Sequence, residues 1–252
     1  MDKTEHKPDK TQKVIEMRHI KKSFGTKDVL MDINMDLYKG ENLVVLGKSG
    51  TGKSVTIKCM VGLLTQDEGS AVVLGEEVNE LSSDKLKGLR AKVGFLFQSA
   101  ALYDSMTVRE NLEFPLTRVL KLKDASEITQ RIEEVLDAVG LASAIDAMPS
   151  DLSGGMRKRI GLARTLILKP EIMLYDEPTT GLDPITSREI SELILEMQLK
   201  YKISSIIITH DMACAQITAD RMLVMNEGKI VAEGNYDELQ NSGDNLVSSF
   251  FK

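Results

Sequence analysis

The chain has 252 residues, 42% of them hydrophobic, and 38 acidic side chains against 32 basic ones leave a formal net charge of −6. That length holds one substantial core, and the acidic balance excludes a protein whose affinity for nucleic acid rests on neutralising phosphates. Cys59 and Cys214 lie far apart, with neither disulfide-framework nor metal-ligand spacing, and no run approaches the ~18 apolar residues of a spanning helix, so a reduced, cytoplasmic compartment is expected.

Residues 1–12, MDKTEHKPDKTQ, are polar, lack the apolar stretch of a signal peptide and read as a flexible tail that includes His6. His19 falls in an early strand, where a lone histidine is a filler. The first continuous apolar run is NLVVLG, and such runs, without polar alternation, point to strands covered on both faces, as in parallel sheets. It leads into GKSGTGKS, where Gly47, Gly52, Lys53 and Ser54 satisfy G-x-x-x-x-G-K-[ST] ahead of a helical pattern over residues 54–63. In such a loop, here Gly47, Lys48, Ser49, Gly50, Thr51 and Gly52 running on to Val55, backbone N–H groups wrap a phosphate. Lys53 offsets the β and γ charges and Ser54 can hold Mg²⁺.

A second run, VGFLF, ends at Gln98. Residues 99–170 then change character into a helical insert, with Ile128, Ile132, Val135, Leu136 and Val139 on one apolar stripe and Met156, Ile160, Ala163 and Ile167 on another. Inside it, DLSGG sets Ser153, Gly154 and Gly155 at a helix start, which suits either an anion contact or an ordinary serine cap. A third run, IMLY, ends in Asp176 and Glu177. Beside a phosphate loop, Asp176 suits a second metal contact and Glu177 can orient or deprotonate a water; alternatively the pair simply opens the EPTTGLDP turn. The fourth run, SSIIIT, ends at His210 ahead of a helix, where a γ-phosphate contact explains it better than packing. All four polar ends are expected at one sheet edge, where ligands of such sheets gather. Residues 241–252 read as a tail whose Phe250 and Phe251 pack on their own subunit or across a dimer.

With those residues in view, residues 14–238 resemble the nucleotide-binding subunit of an ABC transporter. GKSGTGKS matches its Walker A motif, Gln98 its Q-loop, LSGGM its signature, IMLYDE its Walker B motif with the catalytic glutamate, GLD with Asp183 its D-loop, and His210 its switch histidine. The resemblance implies an α/β P-loop NTPase fold of ABC type: a mixed RecA-like sheet with an antiparallel β subdomain and an inserted α-helical subdomain, within a domain of residues 13–240. It also implies a head-to-tail homodimer with ATP between one subunit's P-loop and the other's Ser153, Gly154 and Gly155, and Phe24 in the place of an adenine-stacking tyrosine. The family's usual signature glutamine is Met156 here. LSGGM, ENLEFPL, MPSDLSGG and LDPIT together are similar to the ATPases of MCE-type, Mla-like phospholipid transporters.

The expected reaction is ATP hydrolysis by in-line attack of water. Ser54, Asp176 and Gln98 position Mg²⁺, Lys53 offsets phosphate charge, Glu177 polarises the water, and His210 with the opposite signature fixes the γ-phosphate. The expected partners are an integral-membrane permease, docked after Gln98 at SAALYDSMTVRENLEFPL, and an MCE-domain protein, with this chain peripheral at the cytoplasmic face of an inner membrane. The phospholipid is carried by those partners and not bound by this chain. Another ABC importer, or a cell-division ATPase acting as a conformational regulator, would use the same motifs. A P-loop kinase or GTPase conflicts with the signature, the Walker B glutamate and the histidine, and the missing NKxD element favours ATP over GTP.

Overall fold

The computed structural model describes residues 8–251. Strands β1 (Asp9–Phe24) and β2 (Lys27–Lys39) form an antiparallel hairpin that β4 (Glu68–Val73) and β5 (Glu76–Glu77) extend beyond β1. Between them come β3 (Asn42–Leu46) and helix α1 (Lys53–Met60). Helix α2 (Ser83–Lys92) and β6 (Val93–Leu96) precede three helices, α3 (Val108–Arg118), α4 (Ala125–Ala138) and α5 (Gly154–Leu166). The chain closes with β7 (Ile172–Asp176), α6 (Pro184–Tyr201), β8 (Ser204–Thr209), α7 (Met212–Thr218), β9 (Arg221–Asn226), β10 (Lys229–Gly234), α8 (Tyr236–Gln240) and α9 (Asn245–Ser248).

The strands are ordered β5-β4-β1-β2-β10-β9-β3-β8-β7-β6, with β9, β3, β8, β7 and β6 all parallel. Both faces of this parallel part are buried, which is why its strands read as unbroken apolar runs. In β3, Val44 and Leu46 face the helices α5, α6 and α7, whereas Leu43 and Val45 face α1 and the antiparallel strands. The same alternation puts Met173 and Tyr175 of β7 on the first face and Ile172 and Leu174 on the second. Helix α1 is thus sandwiched: its Ile57, Cys59 and Met60 share one apolar cluster with Met17, Ile20 and Leu30 of the hairpin. Each such fully buried side chain contributes about 2 kcal/mol before the entropy of ordering is subtracted. Because the strands are parallel, Leu46, Leu96, Asp176 and Thr209 bring the chain out at one edge, so GKSGTGKS, Gln98, Glu177 and His210 follow there.

Several sequence readings need correction. Residues 1–7 of the expected tail lie outside the described residues, but residues 9–12 belong to β1, where Asp9 pairs with Lys39; they read as a tail because Asp9 to Lys13 are exposed. The helix after the glycine loop starts at Lys53 and stops at Met60, with Gly62 at φ 63 turning the chain. Phe97 falls beyond β6, its ring stacked 4.2 Å from Phe95. The helical insert has no core of its own, since Ile132, Val135 and Leu136 of α4 join the cluster that holds Val44, Leu96 and Tyr175. Of the second stripe, Ile160, Ala163 and Ile167 are buried while Met156 is only partly so.

The C-terminal residues are packed as well. Asp244 caps α9 by accepting from Leu246 N–H and Val247 N–H, Val247 is 1% exposed, and the Phe251 ring meets Tyr236 edge-on at 5.3 Å. Phe250 and Phe251 therefore pack on their own chain. Val247→Asp should undock this segment; losing one buried aliphatic side chain forfeits about 2 kcal/mol, a fall in Tm of roughly 4–8 °C for a chain of this size by thermal unfolding. An unchanged Tm would show that the segment contributes nothing to the fold.

Candidate functional site

The edge formed by the parallel strands carries an open cleft of about 400 Å³ lined by Phe24, Ser49, Gly50, Gly52, Lys53, Ser54, Val55, Gln98, Glu177 and His210, with Lys27, Val29 and Thr180 also on its wall. The loop from Gly47 to Gly52 forms one side. Gly52 caps α1 at φ 104, a left-handed conformation, and an added Cβ there would lie 2.8 Å from the Val29 carbonyl, so only glycine fits. This places the free N–H groups of α1 at the cleft, with the positive end of its dipole.

Lys53 is 5% exposed, its Nζ donating to the carbonyls of Gly47 at 2.6 Å and Lys48 at 3.0 Å and lying 3.6 Å from Glu177 Oε1. Burial pushes its ammonium below the ordinary lysine range, and the carboxylates of Glu177 and Asp176 pull it part of the way back. Ser54 donates its hydroxyl to Asp176 Oδ1 at 2.8 Å. A hydroxyl and a carboxylate side by side, below a loop built to receive phosphates, are the hard oxygen donors that Mg²⁺ takes when phosphates and water complete its shell. Among the described residues no cluster of three or more His, Cys, Asp or Glu could form a protein-only metal cage. The donor set therefore fits a metal that arrives with a nucleotide.

Glu177 sits at φ 53, its N–H bonded to the Ile208 carbonyl of β8. That left-handed backbone, uncommon for a glutamate, turns the side chain from the strand into the cleft. Its Oε2 lies 2.8 Å from His210 Nδ1 and accepts from Thr180 Oγ1 at 3.2 Å. In the contact with His210, Nδ1 is the donor and the carboxylate oxygen the acceptor. Gln98, exposed, enters from the end of β6. Phe24 projects from the end of β1, 48% exposed, with Lys22 Nζ 5.6 Å from its ring centre.

Gly47, Lys48 and Thr51 shape the loop without lining the cleft, and Ser153, Gly154, Gly155 and Asp183 do not line it either. Ser153 caps α5, its hydroxyl accepting from Met156 N–H at 3.2 Å. Asp183 caps α6, accepting from the N–H groups of Ile185 and Thr186 and from Thr186 Oγ1 at 2.6 Å, bonds that hold its carboxyl below the usual range. Gly155 is a glycine for packing reasons: an added Cβ would sit 2.5 Å from Thr186 Cγ2. Sequence reading missed Lys158, 5% exposed on α5, whose Nζ donates to the Gln98 and Glu177 carbonyls. Arg157, Lys158 and Arg159 look like a solvated basic run; the available signal was that Gly155, Lys158 and Leu162 share one helical stripe, and all three are buried.

The profile of the ABC transporter family matches residues 30–180. The chain is 41% identical over 254 residues to the chloroplastic protein TRIGALACTOSYLDIACYLGLYCEROL 3 of Arabidopsis thaliana, an alignment covering 94% of this chain and 73% of that one. It is 39% identical to the probable ribonucleotide transport ATP-binding protein mkl of Mycobacterium leprae, covering 94% of this chain and 68% of that one. Among solved structures, a dimeric ATP-binding cassette in a post-hydrolysis state bound to ADP and Pi superposes with a TM-score of 0.80 at 28% identity, covering 88% of this chain and 98% of the other.

The contact at Gly155 is directly testable. Thr186 cannot rotate its methyl away without breaking its bond to Asp183, so Gly155→Ala should overpack the site by about 1–3 kcal/mol and lower Tm by about 2–4 °C for each of these. Thr186→Ser removes the methyl and keeps the hydroxyl, so the double variant should regain most of the loss; purely additive losses in thermal unfolding would show that this methyl is not the obstacle.

Proposed function

The chain belongs to the ABC transporter family, and from that premise we propose that it powers phospholipid transport across or between envelope membranes through a permease and an MCE-domain protein. It is an ABC transporter ATPase, its nucleotide is ATP and the associated ion is Mg²⁺. Cassettes of this family dimerise with ATP at the interface and work with membrane permeases.

The observation that carries the chemistry is the placement of Glu177, whose carboxylate lies between the Lys53 ammonium and the His210 ring at the mouth of the cleft. In this reading the loop N–H groups and Lys53 hold the β and γ phosphates, and Phe24 offers a ring face to the adenine. Ser54 and Asp176, joined by Gln98, would hold Mg²⁺, which would supply charge neutralisation on the phosphates. Glu177 takes the hydrogen bond of the attacking water and receives its proton at a carboxylate oxygen, while His210 fixes the carboxylate and contacts the γ-phosphate. Because Ser153, Gly154 and Gly155 do not line their own chain's cleft, they serve a second copy's nucleotide across a head-to-tail homodimer, with Asp183 beside them.

Lipid as cargo is supported by the chloroplastic relative, whose name is that of a galactolipid, and by the LSGGM and ENLEFPL segments. No helix among the described residues is long and apolar enough to cross a membrane. In this reading the chain acts at the cytoplasmic face of an inner membrane through partners, which carry the lipid. The mycobacterial relative bears a ribonucleotide transport name and others are methionine import proteins, so cargo identity is tested directly. Gentle solubilisation of native membranes with the tagged chain, followed by mass spectrometry, should recover a permease, an MCE-domain protein and phospholipid; recovery of a nucleotide or amino-acid permease would overturn the lipid reading and leave the ATPase intact.

Glu177→Gln should keep ATP affinity while lowering turnover by about 10²–10⁴-fold, the range for a lost general base, and should trap an ATP-bound dimer visible by light scattering. Wild-type turnover in that variant would remove Glu177 from the role of base.

A further inference from the structure

We propose that Lys158 is a positioning residue for ATP hydrolysis, its buried side chain tying the helix that follows the signature to the backbone of both Gln98 and Glu177. Lys158 Nζ donates to the Gln98 carbonyl at 2.5 Å and to the Glu177 carbonyl at 3.3 Å. These two carbonyls belong to different strand ends, β6 and β7, and Lys158 comes from a third element, α5. One side chain thus spans three elements of the site without lining the cleft itself.

One acceptor lies at unusual backbone and the other shortly precedes it. Glu177 is at φ 53, and beyond Gln98 the consecutive residues Ala100 and Ala101 are at φ 60 and φ 48. Conformations of this kind persist where the surroundings over-determine them. Helix α5 does so at two points, because Arg164 also donates to the Ala100 carbonyl at 3.2 Å while its guanidinium lies 5.6 Å from the Tyr103 ring. Burial pushes the Lys158 ammonium below the usual lysine range, with Asp176 and Glu177 offsetting part of this. An apolar side chain would fill the same space without that desolvation. What an apolar side chain cannot do is donate to two carbonyls at once.

The consequence is mechanical. Any shift of α5 moves the peptide groups at Gln98 and Glu177 together, so the helix that begins with Ser153 sets the direction of the glutamate in its own cleft. In a head-to-tail dimer, engagement of the signature by one nucleotide is thereby felt at the glutamate facing the other.

The inference rests on the roles given above to Gln98 and Glu177, and the test separates the two. Purified full-length Lys158→Met, Lys158→Gln, Lys158→Arg and Glu177→Gln would be compared with wild type for kcat, KM, ATP binding and Tm. Lys158→Met is expected to lower kcat by about tenfold or more while KM and ATP affinity stay within about threefold, the pattern of a group that matters in the transition state. Lys158→Arg, which keeps charge and donors, is expected to recover most of the activity, and Lys158→Gln to fall between; these two carry the test if the methionine variant does not fold. The proposal is overturned if Lys158→Met turns over within about twofold of wild type, if kcat, affinity and Tm fall together, or if arginine is as defective as methionine. Normal turnover in Lys158→Met beside an inactive Glu177→Gln would defeat the inference alone; normal turnover in both would defeat the site reading with it.

Discussion

A buried ammonium must be paired, and Lys53 is the charge on which this site's geometry depends. Its Nζ is held by the carbonyls of Gly47 and Lys48 and faces the Glu177 carboxylate, which ties the loop after β3 to the end of β7. Those strands are not neighbours: β8 runs between them. Ser54 bonded to Asp176 makes a second tie across the same gap, and His210, at the end of the intervening strand, reaches Glu177 from the middle. Side chains from three consecutive strand ends thus form one connected polar network. Removing any member leaves a buried or half-buried partner without its bond, a larger loss than the bond's own net worth.

That network exists because the sheet beneath it is covered on both faces. Parallel strands need crossover connections, and here the crossovers put α1 and the antiparallel hairpin on one side and α5, α6 and α7 on the other. Burial of both faces leaves only the strand ends for polar chemistry. The carboxyl ends point the same way, so the loops that follow converge without any long-range pairing between the motifs themselves.

How much of this the sequence carries differs from element to element, for physical reasons. The strands β3, β7 and β8 are legible because burial on both faces removes polar alternation, and GKSGTGKS is legible because a phosphate loop needs glycines where a Cβ would strike backbone, as at Gly52 beside Val29. Residues 9–12 are not: a polar strand edge exposed to water has a tail's composition, and only its pairing with β2 makes it a strand. Helix α2 escapes for a similar reason, since Leu89 is its only buried residue. Lys158 is hidden among three consecutive basic residues, and nothing in composition separates the one that is buried from the two that are not. The serine and glycine pair reads as either an anion contact or a serine cap; in the fold Ser153 caps α5 and Gly155 answers to the Thr186 methyl.

That packing bears on what the signature presents to its surroundings. Asp183 caps α6 and pins Thr186, Thr186 closes over Gly155, and Gly155 fixes the first turn of α5, so the face carrying Ser153 is set before any partner arrives. Preorganisation of this kind lowers the ordering entropy that binding must otherwise overcome. Met156, the departure from the family's usual glutamine, packs its side chain against the helical core, while its N–H satisfies the Ser153 hydroxyl. The side chain at 156 therefore takes part in seating α5, while the serine cap depends only on the backbone N–H of that residue. A second copy's phosphate would meet the hydroxyl and N–H groups of Ser153, Gly154 and Gly155, groups that the identity of residue 156 does not alter.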